Sequence, residues 1–314
     1  MYDLFGVKVR DNTLGVKKAC IFNISKIFQI HIGEQLNYVV IEERFNMTTE
    51  KYALITGASS GLGKAFAREL ALRNTNLILV SLPGEGLAEF AQELRDTCVE
   101  VVYYEIDLAQ TNQIEWLAED VNSKYNLFLL INNAGRGGTN RIMDVKTDYI
   151  NSIIQLNVTA TALLTHALLP NLLNQNQAYV LNVSSMAAFS PMGFKTVYPA
   201  SKSFVHYFSR GLYQELRYSP VFVSVLTPGP MKTNADVSQR IERQGIFGRI
   251  GLISPERVAK KAIDQLYKRD TLILLGFWNG LNWLLMKTIP IGLRLPLLTR
   301  LVKREIRATE QATC

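Results

Sequence analysis

Hydrophobic and polar positions along the chain fall into two alternating rhythms. Apolar runs at 52–56, 76–81, 99–105, 127–132, 178–183, 221–227 and 271–275 have the length and content of buried strands. The longer stretches at 63–73, 86–96, 111–124, 149–173, 201–218 and 255–268 read as helices. Pro220 stops one of them, and Pro255 suits the first turn of another. Strand alternating with helix is the pattern of a doubly wound α/β fold with a parallel sheet of about seven strands. Ligands of such sheets lie outside the carboxyl ends of the strands. The pattern predicts one domain over 47–276, preceded by an extension at 1–46 and followed by a tail at 277–314.

Two motifs bring chemistry to that frame. Thr56-Gly57-Ala58-Ser59-Ser60-Gly61-Leu62-Gly63 follows the first apolar run and opens a helix. Glycines there permit a tight turn and close backbone approach, and the unpaired N–H groups and positive end of the following helix suit a phosphate. The alternative is a glycine turn that merely joins strand to helix. A nucleotide triphosphatase loop is excluded, because Ala58 stands five residues before Gly63 and Lys64 is followed by Ala65. The second motif is Tyr198-Pro199-Ala200-Ser201-Lys202. Residues four apart share a helical face, so Lys202 can lie beneath the Tyr198 hydroxyl, and a nearby positive charge favours the phenolate. That makes Tyr198 a candidate acid/base; by itself such a pair also describes a solvated helix face.

With both motifs in this order, the chain resembles the short-chain dehydrogenase/reductase family from about residue 51 to about residue 276. Further marks of the resemblance are Asp107, Asn132-Asn133-Ala134-Gly135, Asn157, Ser184-Ser185, and Pro228-Gly229 with Thr233. The resemblance implies a seven-stranded Rossmann-type domain and an oxidoreductase that interconverts a ketone and a secondary alcohol with NAD or NADP. It assigns proton transfer to Tyr198, and to Lys202 both a lowering of the tyrosine pKa and a hold on the nicotinamide ribose. Ser185, thirteen residues before Tyr198, would hydrogen-bond the substrate oxygen. Asn157 would hold a water that resupplies the proton; its alternative is a polar helix residue capping a loop. The cofactor would contact Gly57, Ser59, Ser60, Gly61, Leu62, Gly63, Ser81, Asp107, Leu108, Asn133, Ala134, Gly135, Pro228, Gly229 and Thr233. Asp107 would take the adenine amino group beside Leu108, or else cap a helix. At the end of the second strand, Val80-Ser81-Leu82-Pro83-Gly84 carries neither an acid before Glu85 nor a base. With no carboxylate to repel a phosphate and Ser81 able to donate to one, NADPH is expected over NADH.

The stretch 204–212 is similar to the 3-ketoacyl-CoA reductase and 17β-hydroxysteroid dehydrogenase branch, which implies an apolar, acyl-chain or steroid-like substrate. Residues 234–251 would form a lid. The rival to an enzyme is a regulator that senses NAD(P) without turnover, but it has no need of Tyr198, Lys202, Ser185 and Asn157 together.

The chain of 314 residues, 48% of them hydrophobic, suffices for one large core. Cys20, Cys98 and Cys314 are odd in number and scattered, which suits a reducing compartment such as the cytoplasm. His31, His166 and His206 show no metal-ligand spacing with them, so no metal is expected. The net charge of +7 has no nucleic-acid motif beside it; it concentrates in the tail, where Lys287, Arg294, Arg300, Lys303, Arg304 and Arg307 face only Glu305 and Glu310. The uncharged run 271–286 is too short and polar for a membrane span, and the tail reads as an amphipathic, basic element. It could rest peripherally on a membrane, cover the pocket, or pair with a second subunit in a homo-oligomer. Residues 1–46 lack a signal-peptide pattern, and Met47 resembles an ordinary start, so the extension is expected to be non-native or poorly ordered.

Overall fold

The computed structural model describes residues 27–32, 35–40, 51–95, 97, 99–231 and 252–313. Two compact units divide at residue 49. The first holds an antiparallel pair, β1 (Ile27–Ile32) and β2 (Gln35–Val40), running from Ile27 opposite Val40 to Ile32 opposite Gln35. Its strands lie within the extension at 1–46.

The second unit is built on seven parallel strands: β3 (Lys51–Thr56), β4 (Asn76–Ser81), β5 (Val101–Glu105), β6 (Asn126–Asn132), β7 (Ala178–Val183), β8 (Val221–Leu226) and β9 (Leu272–Ile273). Their order is β5-β4-β3-β6-β7-β8-β9. All the strands predicted from sequence form; the last shrinks to two residues, and β5 begins at Val101 rather than residue 99. Within β3, Ala53 and Ile55 pack on one side while Tyr52 and Leu54 pack on the other; in β4, Leu77 and Leu79 oppose Ile78 and Val80 in the same way. Both faces are therefore covered, which is why these strands are apolar throughout rather than at every second position.

One face is covered by α1 (Gly61–Ala71), α2 (Leu87–Arg95) and α7 (Pro255–Tyr267), through residues such as Phe66, Phe90 and Ile263. The other carries α3 (Thr111–Lys124), α5 (Ala160–Leu173) and α6 (Val197–Glu215), with α4 (Thr147–Ile154) packed against α6. A π-helical turn, Gln155–Thr159, joins α4 to α5, so that Thr147–Leu173 is one long helix. By length and composition this helix could cross a membrane, but Leu164, Leu168 and Leu172 are spent on the sheet core. The tail forms α8 (Phe277–Thr288) and α9 (Ile291–Thr313).

A buried polar chain ties sheet to helices under the site. Asn132 Nδ2 donates to Thr165 Oγ1 (2.9 Å) on α5 and to Asn182 Oδ1 (2.8 Å) on β7, and Asn182 Nδ2 donates to Ser209 Oγ (2.9 Å) on α6. Each buried amide is thereby paired, and α6 is held against the sheet by a directional bond as well as by packing.

Candidate active site

Chain progress reverses between β3 and β6, because β4 and β5 build outward on one side and β7 to β9 on the other. A crevice opens at the carboxyl ends there, as doubly wound topology requires. The glycine turn lies on its floor. Gly57 has φ +65°, and a Cβ on Gly63 would overlap the Gly57 carbonyl oxygen, so neither position accepts a side chain without a backbone shift. Asn133 Nδ2 donates to the carbonyls of Thr56 (2.9 Å) and Gly57 (3.2 Å), while Thr56 Oγ1 accepts from the amides of Asn133 and Ala134, both at 2.9 Å. The loop after β6 thus braces the turn after β3. Ser60 stands at the N-cap of α1 without capping it through its side chain. First-turn amides in that situation are the usual partners of a phosphate.

The cavity is large, about 870 Å³, and gathers sixteen of the residues singled out from sequence. These are Gly57, Ser59, Ser60, Gly61, Leu62, Ser81, Asp107, Leu108, Asn133, Ala134, Gly135, Ser185, Tyr198, Lys202, Pro228 and Gly229. Gly63 and Asn157 stand behind the wall. Thr233 and the expected lid at 234–251 lie outside the described residues, as do Cys20, Cys98 and Cys314. A glycine-paved floor beside a helix N-terminus, in a cavity of this size, fits a dinucleotide.

At the end near β4 and β5, the surroundings of the dinucleotide are more specific than the sequence indicates. Ser81 lines the cavity as a buried residue, and its hydroxyl donates to the Leu82 carbonyl (3.1 Å). Glu85, which the strand-end reading set aside, lines the cavity and accepts a hydrogen bond from Ser59 Oγ at 2.5 Å. A carboxylate is therefore present beside the glycine turn after all, delivered by a bend rather than by the strand. Asp107 does not cap α3, whose N-cap is Gln110; its Oδ1 accepts from the Ala109 amide (2.9 Å) and fixes the turn that carries Leu108 into the cavity wall.

At the opposite end, α6 presents Tyr198 and Lys202 one turn apart. Lys202 is buried, and its Nζ donates to the Val183 carbonyl (2.8 Å). Removal from water disfavours the ammonium and pulls its pKa down to about 8. The two serines after β7 divide. Ser184 is buried and donates to the Lys202 carbonyl (2.7 Å), whereas half-buried Ser185 accepts from the Ala187 amide (3.1 Å) and keeps its own proton available to the cavity. Asn157 sits in the π turn, fully buried. Its Oδ1 accepts from the Arg136 amide (2.8 Å), and its Nδ2 donates to the Arg136 carbonyl and to Ser201 Oγ, both at 2.9 Å. A Cβ built on Gly135 would lie 3.2 Å from both Asn157 Oδ1 and Lys202 Nζ, so those two atoms converge on one point. The π turn supplies the extra residue that turns Asn157 inward at a place where an unbroken α-helix would space its side chains differently.

The sequence leaves cover of the pocket as one of three roles for the tail but does not name the residues by which the tail meets the site. Thr299 on α9 accepts from the Gly193 amide (3.1 Å), and Arg294 Nη1 donates to the carbonyls of Phe189 (2.9 Å) and Met286. Buried Asn279 on α8 packs against Gly229. The contacts to Gly193, Phe189 and Gly229 grip the rim formed by the loops after β7 and β8, while that to Met286 ties α9 to α8.

The fold and cavity define an α/β scaffold for a dinucleotide-dependent enzyme. A family model described as short chain dehydrogenase matches residues 51–244, and the chain belongs to that family. Hydroxysteroid dehydrogenase-like protein 1 of Gallus gallus is 28% identical over 265 residues, which cover 82% of this chain and 77% of the relative. Among solved structures, a short-chain dehydrogenase from Sphingobium yanoikuyae in complex with NADPH superposes with a TM-score of 0.65 at 27% identity, over 76% of this chain and 96% of that one. A short-chain dehydrogenase/reductase from Burkholderia phymatum in complex with NAD gives 0.64 at 26%, over 72% and 88%. The protein is an NAD(P)-dependent oxidoreductase of this family.

Proposed function

We propose that the protein interconverts an apolar ketone and its secondary alcohol, with Tyr198 as acid/base. The observation that carries this reading is the meeting of Tyr198, Lys202 and the undonated Ser185 hydroxyl on one wall of a single cavity. The nicotinamide, when bound, supplies or accepts the hydride. Ser185 holds the substrate oxygen by donating its proton in a hydrogen bond. Tyr198 gives its phenolic proton to that oxygen in reduction and takes it back in oxidation. Lys202 favours the phenolate through its charge and lies where ribose hydroxyls can reach it, and Asn157 holds the water that returns the proton.

Met186, Ala187, Met192 and Met231 line the cavity on the substrate side, and a surface of thioethers and methyls favours an apolar ketone. The name of the chicken relative points to the same class. For the dinucleotide, Glu85 replaces the ground on which NADPH was expected: its carboxylate can accept from a ribose hydroxyl and would repel a 2′-phosphate, so NAD(H) is assigned. The test is Tyr198→Phe, assayed with NADH and a panel of steroid, long-chain and aromatic ketones. Turnover should fall by about a hundredfold or more while NADH binding stays within about twofold. Unchanged turnover would remove Tyr198 from the mechanism.

A further inference from the structure

The two tail helices hold the domain on one side and expose apolar side chains on the other. Inward, Asn279 and Val302 are buried, and Thr299 and Arg294 bond to the rim of the cavity. Outward, Phe277 is 77% exposed, Trp278 57%, Leu284 49%, Leu293 70% and Leu297 58%. Leu293, Leu297 and Arg300 follow one another at helical spacing along the outer side of α9, so its exposed stripe passes from apolar to basic. A helix that merely covers a soluble enzyme presents polar residues to water, and exposed apolar side chains in this number on two helices mark a place where something docks.

The charge around it says what. From residue 271 to residue 304 the sequence has no Asp or Glu, while it has Lys287, Arg294, Arg300, Lys303 and Arg304. Lys287 Nζ lies 4.4 Å from the ring centre of Trp283, which places an ammonium at the end of α8 next to an indole. Exposed aromatic and aliphatic side chains flanked by lysine and arginine match the layered chemistry of a lipid surface, with acyl chains beneath and phosphates above. A second copy of the chain is a poorer match, because a twofold contact would set this basic stripe against itself.

We propose that the outer face of α8 and α9 rests on an anionic lipid surface. Phe277, Trp278, Leu284, Leu293 and Leu297 enter the interfacial layer, and Lys287, Arg300 and Lys303 meet headgroup phosphates. Because the same helices bond to the loops at Phe189 and Gly193, the rim of the cavity stands at that surface, and an apolar ketone is taken from lipid rather than from water. This last step rests on the apolar-substrate reading above; the docking itself does not.

The experiment is sedimentation of the full chain with extruded vesicles, either phosphatidylcholine alone or phosphatidylcholine with about one third phosphatidylserine. Binding to the anionic vesicles should exceed binding to the neutral ones by about tenfold or more and should weaken severalfold at about 0.5 M salt. The double variant Leu293→Glu, Leu297→Glu should lose at least about tenfold of the vesicle binding, and Arg300→Glu with Lys303→Glu should remove the anionic preference. Both variants should keep the wild-type melting temperature and NADH affinity, which shows that they fold. Failure of the wild-type chain to sediment with anionic vesicles, or equal sedimentation of the Leu293/Leu297 variant, overturns the proposal. A dimer that forms without lipid and is lost in that variant overturns it in favour of a second copy. Turnover of a water-soluble ketone without vesicles is read separately, so a failure of the proposed chemistry is not mistaken for a failure of docking.

Discussion

Lys202→Met should make the protein more stable and nearly inactive. Burial lowers the ammonium pKa from 10.5 to about 8, a difference of about 2.5 units, and each unit is worth about 1.36 kcal/mol. The charged side chain therefore costs the folded state about 3 kcal/mol at neutral pH. Methionine removes that cost but leaves the Val183 carbonyl without its donor, a loss of about 1 to 2 kcal/mol. The net gain is about 1 to 2 kcal/mol, or roughly 2 to 8 °C in melting temperature. Its pH dependence is distinctive. Below about 8 the lysine is protonated in both states and the full cost applies. Between about 8 and 10.5 the folded protein has released its proton while the unfolded chain still holds one, so wild-type stability rises with pH. The gap between variant and wild type should hence be widest at pH 7 and shrink steadily towards pH 10. Denaturant unfolding of both proteins without dinucleotide, at four pH values across that range, measures it directly. A variant less stable than wild type at pH 7, or a gap that does not change with pH, would refute the argument.

Three further outcomes follow from the geometry. Gly63→Ala forces the turn against the Gly57 carbonyl, so it should cost about 1 to 3 kcal/mol by thermal melt and weaken NADH binding in fluorescence titration; a variant normal in both would show that the turn can relax. Glu85→Gln should lower the preference for NADH over NADPH by about tenfold or more in paired titrations, and wild-type protein that binds NADPH more tightly would end the NAD(H) assignment. Asn182→Ala leaves Asn132 and Ser209 short of partners and should lower stability by about 2 to 4 kcal/mol in a urea midpoint measurement; an unmoved midpoint would show the buried chain to be energetically idle.

Much of this molecule is legible in its sequence because buried parallel strands are apolar on both faces. Runs such as Asn76–Ser81 and Ala178–Val183 stand out against their surroundings, and their bounds agree with those expected. Where agreement weakens, a physical cause is visible. The last strand pairs with β8 through Leu272 and Ile273 alone, since the chain leaves the sheet at once to begin α8. The helix with Tyr198 begins at Val197 rather than residue 201, as Pro199 is tolerated in a first turn where no amide partner is required. The π turn at Gln155–Thr159 left no mark in the pattern, because one inserted residue alters the phase of a helix without altering its composition.

The residues of the site divide by the same logic. The glycine turn and the pair Tyr198 and Lys202 are local, four to eight residues long, and can be read from spacing. Glu85 is not, because its distance from the strand end depends on a bend at residues 82–86 that no positional rule follows, and its partner Ser59 is 26 residues away. Thr299 and Arg294 are more than a hundred residues from Gly193 and Phe189, so only the closed fold reveals that the tail belongs to the cavity rim. Those distant contacts give the tail its meaning. A basic, apolar segment that dangled from the domain could bind a surface without consequence for chemistry, but one bonded to the loop between Ser185 and Tyr198 cannot settle on anything without fixing the path by which a substrate enters.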